Sequence, residues 1–262
     1  MPFPPVPGAS QMVRVLVVML AVAALVSSAL GLADAAPSRS ADHNQKPPQS
    51  MLEACVNHGS LSPRCVSASV AAIEAARTKG GLKLRPLVLP RNYRSLTAAE
   101  QTFVVINLER VDRGIRPIRG MVASLDHAAK LPAEADVDPQ PATSLLQGLG
   151  VHMYRTLFAR DYGPLAADYE WMYDDGYSPG AGGTTNVFCP RAGAVGCWSH
   201  RASILDRFSG MPLLTGGMAA APAAGGALSL AAILTGGHGN APHFTYTWRR
   251  ALAHGANGSR RN

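Results

Sequence analysis

The spacing of apolar residues changes period once along this chain, and that change limits the fold more than any other feature. Thr97-Ala98-Ala99-Glu100 has the form of a capping box, in which hydroxyl and carboxylate reciprocally satisfy backbone N–H groups at a helix start. It opens an apolar run through Phe103, Val104, Val105, Ile106, Leu108 and Val111, which Gly114 closes. Val66, Val70, Ile73 and Ala76 share one helical face, predicting a helix over 66–79 that stops at Gly80-Gly81. Further helices are expected over 121–130, with Pro132 beyond, and over 164–175, with Pro164 in the first turn. Ser199 should cap a short helix, and Gly210 lies beyond its end. Two-residue periodicity appears only late. Residues 211–219 and 227–235 are apolar and small, and 243–250 sets Phe244, Tyr246 and Trp248 against Thr245 and Thr247, with 236–242 reading as a hairpin loop. Helices first and strands last predict α+β layers, not alternating βαβ units.

The amino-terminal end supplies an address. Residues 15–33 carry no charge behind Arg14 and lead into Ala33-Asp34-Ala35, the A-x-A pattern of a secretory signal, so cleavage after Ala35 is expected. Met12 stands just ahead of Arg14 and is an alternative start. Left uncleaved, the same run would be a membrane anchor. The domain reading is then a signal peptide over 1–35, a polar flexible linker over 36–50, and a helical extension with a disulfide over 51–89. A main domain over 90–250 and a disordered tail over 251–262 complete it. The place of action is the exterior or the cell envelope.

Four cysteines fit that address. Three pairings are possible, and the economical one joins Cys55 to Cys65 and Cys189 to Cys197, each pair bracketing a short turn or loop. Neither spacing is that of a zinc site. Four buried thiols would be the alternative in a reducing compartment. The composition is 47% apolar and 16% charged, which argues against a disordered chain. A net charge of +7 comes from scattered basic residues, so it favours anionic partners such as acidic lipids or wall polymers without marking a nucleic-acid surface.

Several common chemistries have no sequence support, since H-E-x-x-H, G-x-S-x-G, a Walker loop and a dinucleotide fingerprint are all missing. What remains is Asp174 at the end of one expected helix and His200 at the start of another, with the late cysteine pair stiffening the chain between them. A carboxylate beside an imidazole can fix a tautomer, hold a divalent metal or poise a general base. The bland reading is a histidine satisfied by backbone carbonyls and two solvated aspartates. His152, His238 and His243 could each complete a cluster, but no pair has a ligand spacing, and His127 reads as a surface residue. Arg110, Arg113, Arg116 and Arg119 recur every three residues, as an anion patch or, more simply, a solvated helix end. Tyr169, Trp171, Tyr173 and Phe158 read as core in preference to a ligand cage.

The stretch 103–118, FVVINLERVDRGIRPI, resembles the opening of the bacterial CAP domain, roughly V-N-x-x-R-x-x-x-G-L-x-P-L. This is the SCP-like family of cysteine-rich secretory proteins, antigen 5 and pathogenesis-related 1. Trp171-Met172 and 200–205, HRASIL, are similar to its W-M and H-R-x-N-I-L motifs, in the same order, over about residues 90–250. An actinobacterial-type secreted subgroup with W-M-Y-D-D-G and C-W-x-H-R is the nearest likeness. The resemblance implies an α-β-α sandwich around a central antiparallel sheet. It also implies a cleft with two histidines and two acids, in some members able to hold a divalent cation such as zinc or magnesium. His200 matches one histidine, and Asp174 falls where the W-x-x-E form has glutamate. There are departures: no E-N-I motif, with 156–159 near its place, Ser203 for asparagine, and His152 the candidate for the upstream histidine. The expected function is a secreted, monomeric, non-enzymatic binder of lipid or cell-envelope ligands. The alternatives are a metal-assisted hydrolase or peptidase that uses His200 and Asp174, with metal held by His200 and His152, or a structural envelope protein. A nucleic-acid partner is not expected.

Overall fold

The capping box forms as the sequence predicts. Thr97 Oγ1 accepts the backbone N–H of Glu100 at 3.2 Å, while the Glu100 carboxylate accepts that of Thr97 at 2.9 Å. The computed structural model describes residues 44–179 and 186–257. The expected signal segment and cleavage site lie outside the described residues. Within them, the elements run α1 (Gln49–His58), α2 (Pro63–Lys79), α3 (Ala98–Asp112), β1 (Gly120–Val122), α4 (Ala123–Glu134), α5 (Thr143–Gly148), β2 (Val151–Asp161), α6 (Pro164–Tyr173), α7 (Ser199–Ile204), β3 (Leu213–Pro222), β4 (Leu228–Gly237), β5 (Phe244–Thr247) and α8 (Trp248–Ala253). The compact unit spans Ser40–Asn262.

One five-stranded sheet has the order β2-β4-β3-β1-β5. Its long hairpin joins β3 to β4, in register from Leu213 opposite Gly237 to Pro222 opposite Leu228. The sheet is mixed, not wholly antiparallel, because β1 runs parallel to β3 through Met121 and Gly216. The segment 236–242 is no hairpin loop either: β4 pairs with β2 and β3, and β5 lies at the far edge against β1. Trp248, expected within a strand over 243–250, instead opens α8, whose start is capped by Thr247.

Alternation along β4 divides the core between two faces. Leu230, Ala232 and Leu234 join the apolar cluster of α3 and α6, whereas Ala231 and Ile233 face Leu125, Ala129 and Ala133 of α4. Helices therefore cover both faces of the sheet, giving an α+β body. Burying that much apolar surface is the main favourable term in folding. The helix over α4 extends through Pro132, which the sequence reading had placed beyond its end. Gly217 makes the close approach of α4 possible, since a Cβ there would lie 2.2 Å from the Leu125 carbonyl carbon.

Every residue of α3 from Gln101 to Val111 is buried, so this helix has no solvated face. Its polar side chains are consumed internally. Asn107 donates to Ile118 O and accepts the Ile118 N–H, pinning the chain that leads to β1. Arg110, read from sequence as an anion patch or solvated end, is fully buried and donates to the carbonyls of Arg116, Ile204 and Asp206. Burial lowers its pKa to about 10. It thereby ties α7 to α3.

The extension over 51–89 is not a separate piece. Met51, Ala72, Ile73, Ala76 and Leu87 share the core of α3. Arg77 of α2 pairs with Glu109 of α3 at 2.9 Å and with Asp112 at 2.9 Å, and Arg113 pairs with Glu109 as well. Burial opposes ionisation of Glu109, but Arg113 and Arg77 overcome it and hold the carboxyl at about 2. Two segments expected to be loose are ordered in part. Gln45 is buried and donates to Ala76 O, and Asn257 donates to Pro86 O, with Ala251 and Ala256 in the core.

Candidate functional site

The end of α6 and the start of α7 meet at Asp175. The helix stops at Tyr173, where Asp174 caps it with φ −119°, and Asp175 then turns toward α7. The Asp175 Oδ1 lies 2.7 Å from His200 Nδ1, and its Oδ2 accepts the backbone N–H groups of His200 at 2.9 Å and Arg201 at 3.3 Å. Asn186 donates to the same carboxylate at 2.6 Å and also to the carbonyls of Asp175 and Gly196. Trp198 N–H closes the junction on Asp175 O at 2.8 Å.

The local sequence explains this register. Cys189 and Cys197 are joined, and the bridge folds the loop back so that Asn186 reaches Gly196. Trp198 occupies the left-handed region at φ 63° and leads directly into α7. Its indole lies over Gly176, where a Cβ would sit 2.2 Å from the ring. Arg201 stacks on the same indole, 3.6 Å from the ring centroid. Cys55 and Cys65 are joined too, so both economical pairings are present.

A cleft of about 280 Å³ opens beside this junction, lined by Phe158, Ala159, Arg160, Glu170, Trp171, Asp175, Asn186 and His200. Because Nδ1 faces the carboxylate, the neutral imidazole carries its proton there, which leaves Nε2 as an acceptor; this tautomer is inferred from the contact. The Glu170 carboxyl is pushed well above its usual range, first by burial and then by Asp161, Asp174 and Asp175. Burial likewise raises Asp161 to about 7. Trp171 donates its indole N–H to Phe158 O at 2.9 Å, fixing the apolar wall. The cleft thus sets an acceptor, a carboxyl whose ionisation burial opposes, an amide and a guanidinium beside two aromatic rings.

The expected pairing of His200 with Asp174 is corrected to His200 with Asp175. Asp174 is turned toward Asn44, which donates to it, and its carboxyl is raised to about 7 by burial, with Lys46 opposing and Asp175 adding. The expected metal pair of His200 and His152 is not assembled. His152 stands six residues before Phe158 on β2, which at strand rise places it about 20 Å away. There its ring meets that of His238 edge-on at 4.9 Å. His243 leads into β5, at the opposite edge of the sheet from β2. Among the described residues no group of three His, Cys, Asp or Glu side chains could hold a metal ion. Of the aromatic cluster, Tyr169, Trp171 and Tyr173 are core as expected, while Phe158 is half-buried and lines the cleft together with Trp171. His127 is exposed on α4.

Asp175, Glu170, Asn186 and Arg160 were not singled out from the sequence. Asp175 carried a signal, since two adjacent acids at a helix end offer two choices of partner; the others carried none, being scattered polar residues in different elements. No family model, curated protein or solved structure matches the chain.

Proposed function

We propose that this is a secreted CAP-like protein whose cleft binds a lipid or other cell-envelope ligand without turning it over. One observation carries the reading: one cleft is lined both by Phe158 and Trp171 and by the fixed Asp175, Asn186 and His200 hydrogen-bonding system. An aromatic lining of this kind suits the apolar portion of an amphiphile, and convergent polar groups orient its head. Two formed disulfides fit an oxidising compartment. Among the described residues, no helix is long and apolar enough to cross a membrane. The CAP-like segments fall on α3, on α6 and on α7, which the Arg110 and Asp175 contacts bring together.

The test is titration of the protein with water-soluble probes, namely short-chain fatty acids, lysolipids and wall glycopeptides, read by calorimetry and by the fluorescence of Trp171 and Trp198. One probe class should bind, and His200→Ala or Glu170→Gln should each weaken it about tenfold, the worth of one hydrogen bond to a polar head. Failure of every probe to bind above a control protein, or indifference to His200→Ala, would end this reading.

A second reading rests on the 2.7 Å contact of His200 with Asp175. An imidazole oriented by a buried carboxylate is also the geometry of a general base, here acting on water at Nε2. Hydrolysis of ester or amide probes that disappears in His200→Ala, with the fold intact by circular dichroism, would establish it. No turnover across those libraries would exclude it.

A further inference from the structure

Beside the cleft, the disulfide loop presents three strongly exposed apolar side chains, two of them the most exposed large hydrophobics among the described residues. Val187 is 80% exposed, Phe188 58% and Val195 103%. They belong to two arms pressed together. A Cβ on Gly196 would lie 2.3 Å from Phe188 O, so the arm carrying Val195 runs against the arm carrying Phe188. The backbone beneath them is fixed: Cys189 is fully buried and bridged to Cys197, Asn186 spans the arms to Gly196 O, and the Phe188 N–H is held by Asn186 Oδ1 at 2.9 Å. These side chains are displayed, and little ordering cost remains to be met when something covers them.

Charge along the loop's own sequence has one sign. From residue 176 to 205 the sequence contains no Asp or Glu, while Arg191 is exposed on the loop and Arg201 stands at its base over Trp198. The adjoining acid, Asp175, is 1% exposed and saturated by His200 and Asn186. Tyr177, 37% exposed, and Trp198 flank the base, residue types that suit a boundary between water and hydrocarbon.

We propose that the Cys189–Cys197 loop docks this protein onto anionic phospholipid bilayers, with Val187, Phe188 and Val195 entering the acyl boundary and Arg191 meeting lipid phosphates. The shape favours a bilayer over a protein partner. Val187 and Val195 stand out at 80% and 103% exposure, and a fluid bilayer closes around projecting apolar side chains, whereas a folded partner needs a matching hollow. Docking goes beyond the cleft reading and does not depend on it, although it would hold the cleft mouth at the membrane surface.

The experiment uses the Ser40–Asn262 unit, which contains both disulfides and the whole described core, so that residues 15–33 add no membrane affinity of their own. Sedimentation with phosphatidylglycerol and with phosphatidylcholine vesicles gives the partition. Binding should favour phosphatidylglycerol at least tenfold. The triple variant Val187→Ser, Phe188→Ser, Val195→Ser should lose at least tenfold, and Arg191→Glu about fivefold or more, the usual worth of one basic residue near such a surface. The arginine effect should fade in about 0.5 M salt, where charges are screened. Circular dichroism of each variant should match the parent. Absence of binding to both vesicles, or a triple variant that partitions like the parent, would overturn the proposal. So would a triple variant that abolishes self-association in ultracentrifugation while vesicles bind nothing, since the tip would then belong to a second copy. The soluble-probe titration of the cleft, repeated on the triple variant, should be unchanged, which keeps the two readings separable.

Discussion

Asp175 binds His200 twice, through the ring at Nδ1 with Oδ1 and through the backbone N–H with Oδ2. One carboxylate therefore sets both the tautomer of the imidazole and the entry of the chain into α7.

Asp175→Asn should break both functions. Replacement of a charged acceptor by a neutral amide is expected to cost about 1.5–3 kcal/mol in urea unfolding. The same variant should shift the His200 proton from Nδ1 toward Nε2, read by nitrogen NMR of the ring. An unchanged tautomer would show that Asp175 is only a helix-start acceptor.

Glu109→Gln leaves Arg77 and Arg113 buried against a neutral amide. Breaking a buried ion pair from one side costs about 3–5 kcal/mol, so a comparable loss is expected on chemical denaturation, with cleft binding unaffected in the fraction that remains folded. A loss below about 1 kcal/mol would mean that Asp112, which also accepts from Arg77, suffices for the cluster.

Stability should fall as pH rises from about 4 to about 7. Asp161 and Asp174 are raised to about 7 in the folded protein, chiefly by burial, so between the ordinary carboxyl value and 7 the folded state holds more protons than the unfolded one. Their favourable contribution is complete below the ordinary value and is lost as pH passes through 7. Glu109 works the other way: it is held at about 2, so its contribution is present above the ordinary range and is lost as pH falls toward 2. A stability maximum near pH 4–5 follows, and thermal melts across pH locate it. Asp161→Asn should flatten the alkaline slope and stabilise the protein at pH 8; a slope that stays the same would assign the effect to Asp174 or Glu170.

Gly217→Ala tests the layer contact. A methyl at 2.2 Å from Leu125 backbone forces α4 away from β3, and overpacking of this kind costs about 1–3 kcal/mol. Gly225→Ala, which has no atom within 4 Å of the added carbon but sits at φ 72°, is the control for backbone strain alone.

What could be read beforehand was local. Thr97 and Glu100 are three residues apart, so their reciprocal bonds are written in the sequence, and the cysteine pairs close short loops that leave them few other partners. Residues 151–161 were not read as a strand. β2 lies at the sheet edge, and its more buried face includes Arg155 and Asp161 beside apolar residues, so its sequence shows no clean alternation although its burial does. The three residues of β1 are too few to carry a period. Arg110 looked solvated because an arginine near a helix end usually is, and its three carbonyl acceptors come from segments of which two lie more than ninety residues away.

By itself, then, the sequence determined that a helix opens at Thr97, that two short cysteine loops are the economical pairing, and that apolar strands lie late in the chain, because each of those follows from neighbours along the chain. Tertiary structure decided the rest. Asp174 and Asp175 are equivalent in composition and adjacent in order, and only the turn after Tyr173, held by Asn44 on one side and α7 on the other, gives the first to the linker and the second to His200. The strand order that parts His152 and His243 from the cleft is likewise a matter of packing, since no local periodicity encodes which strands become neighbours.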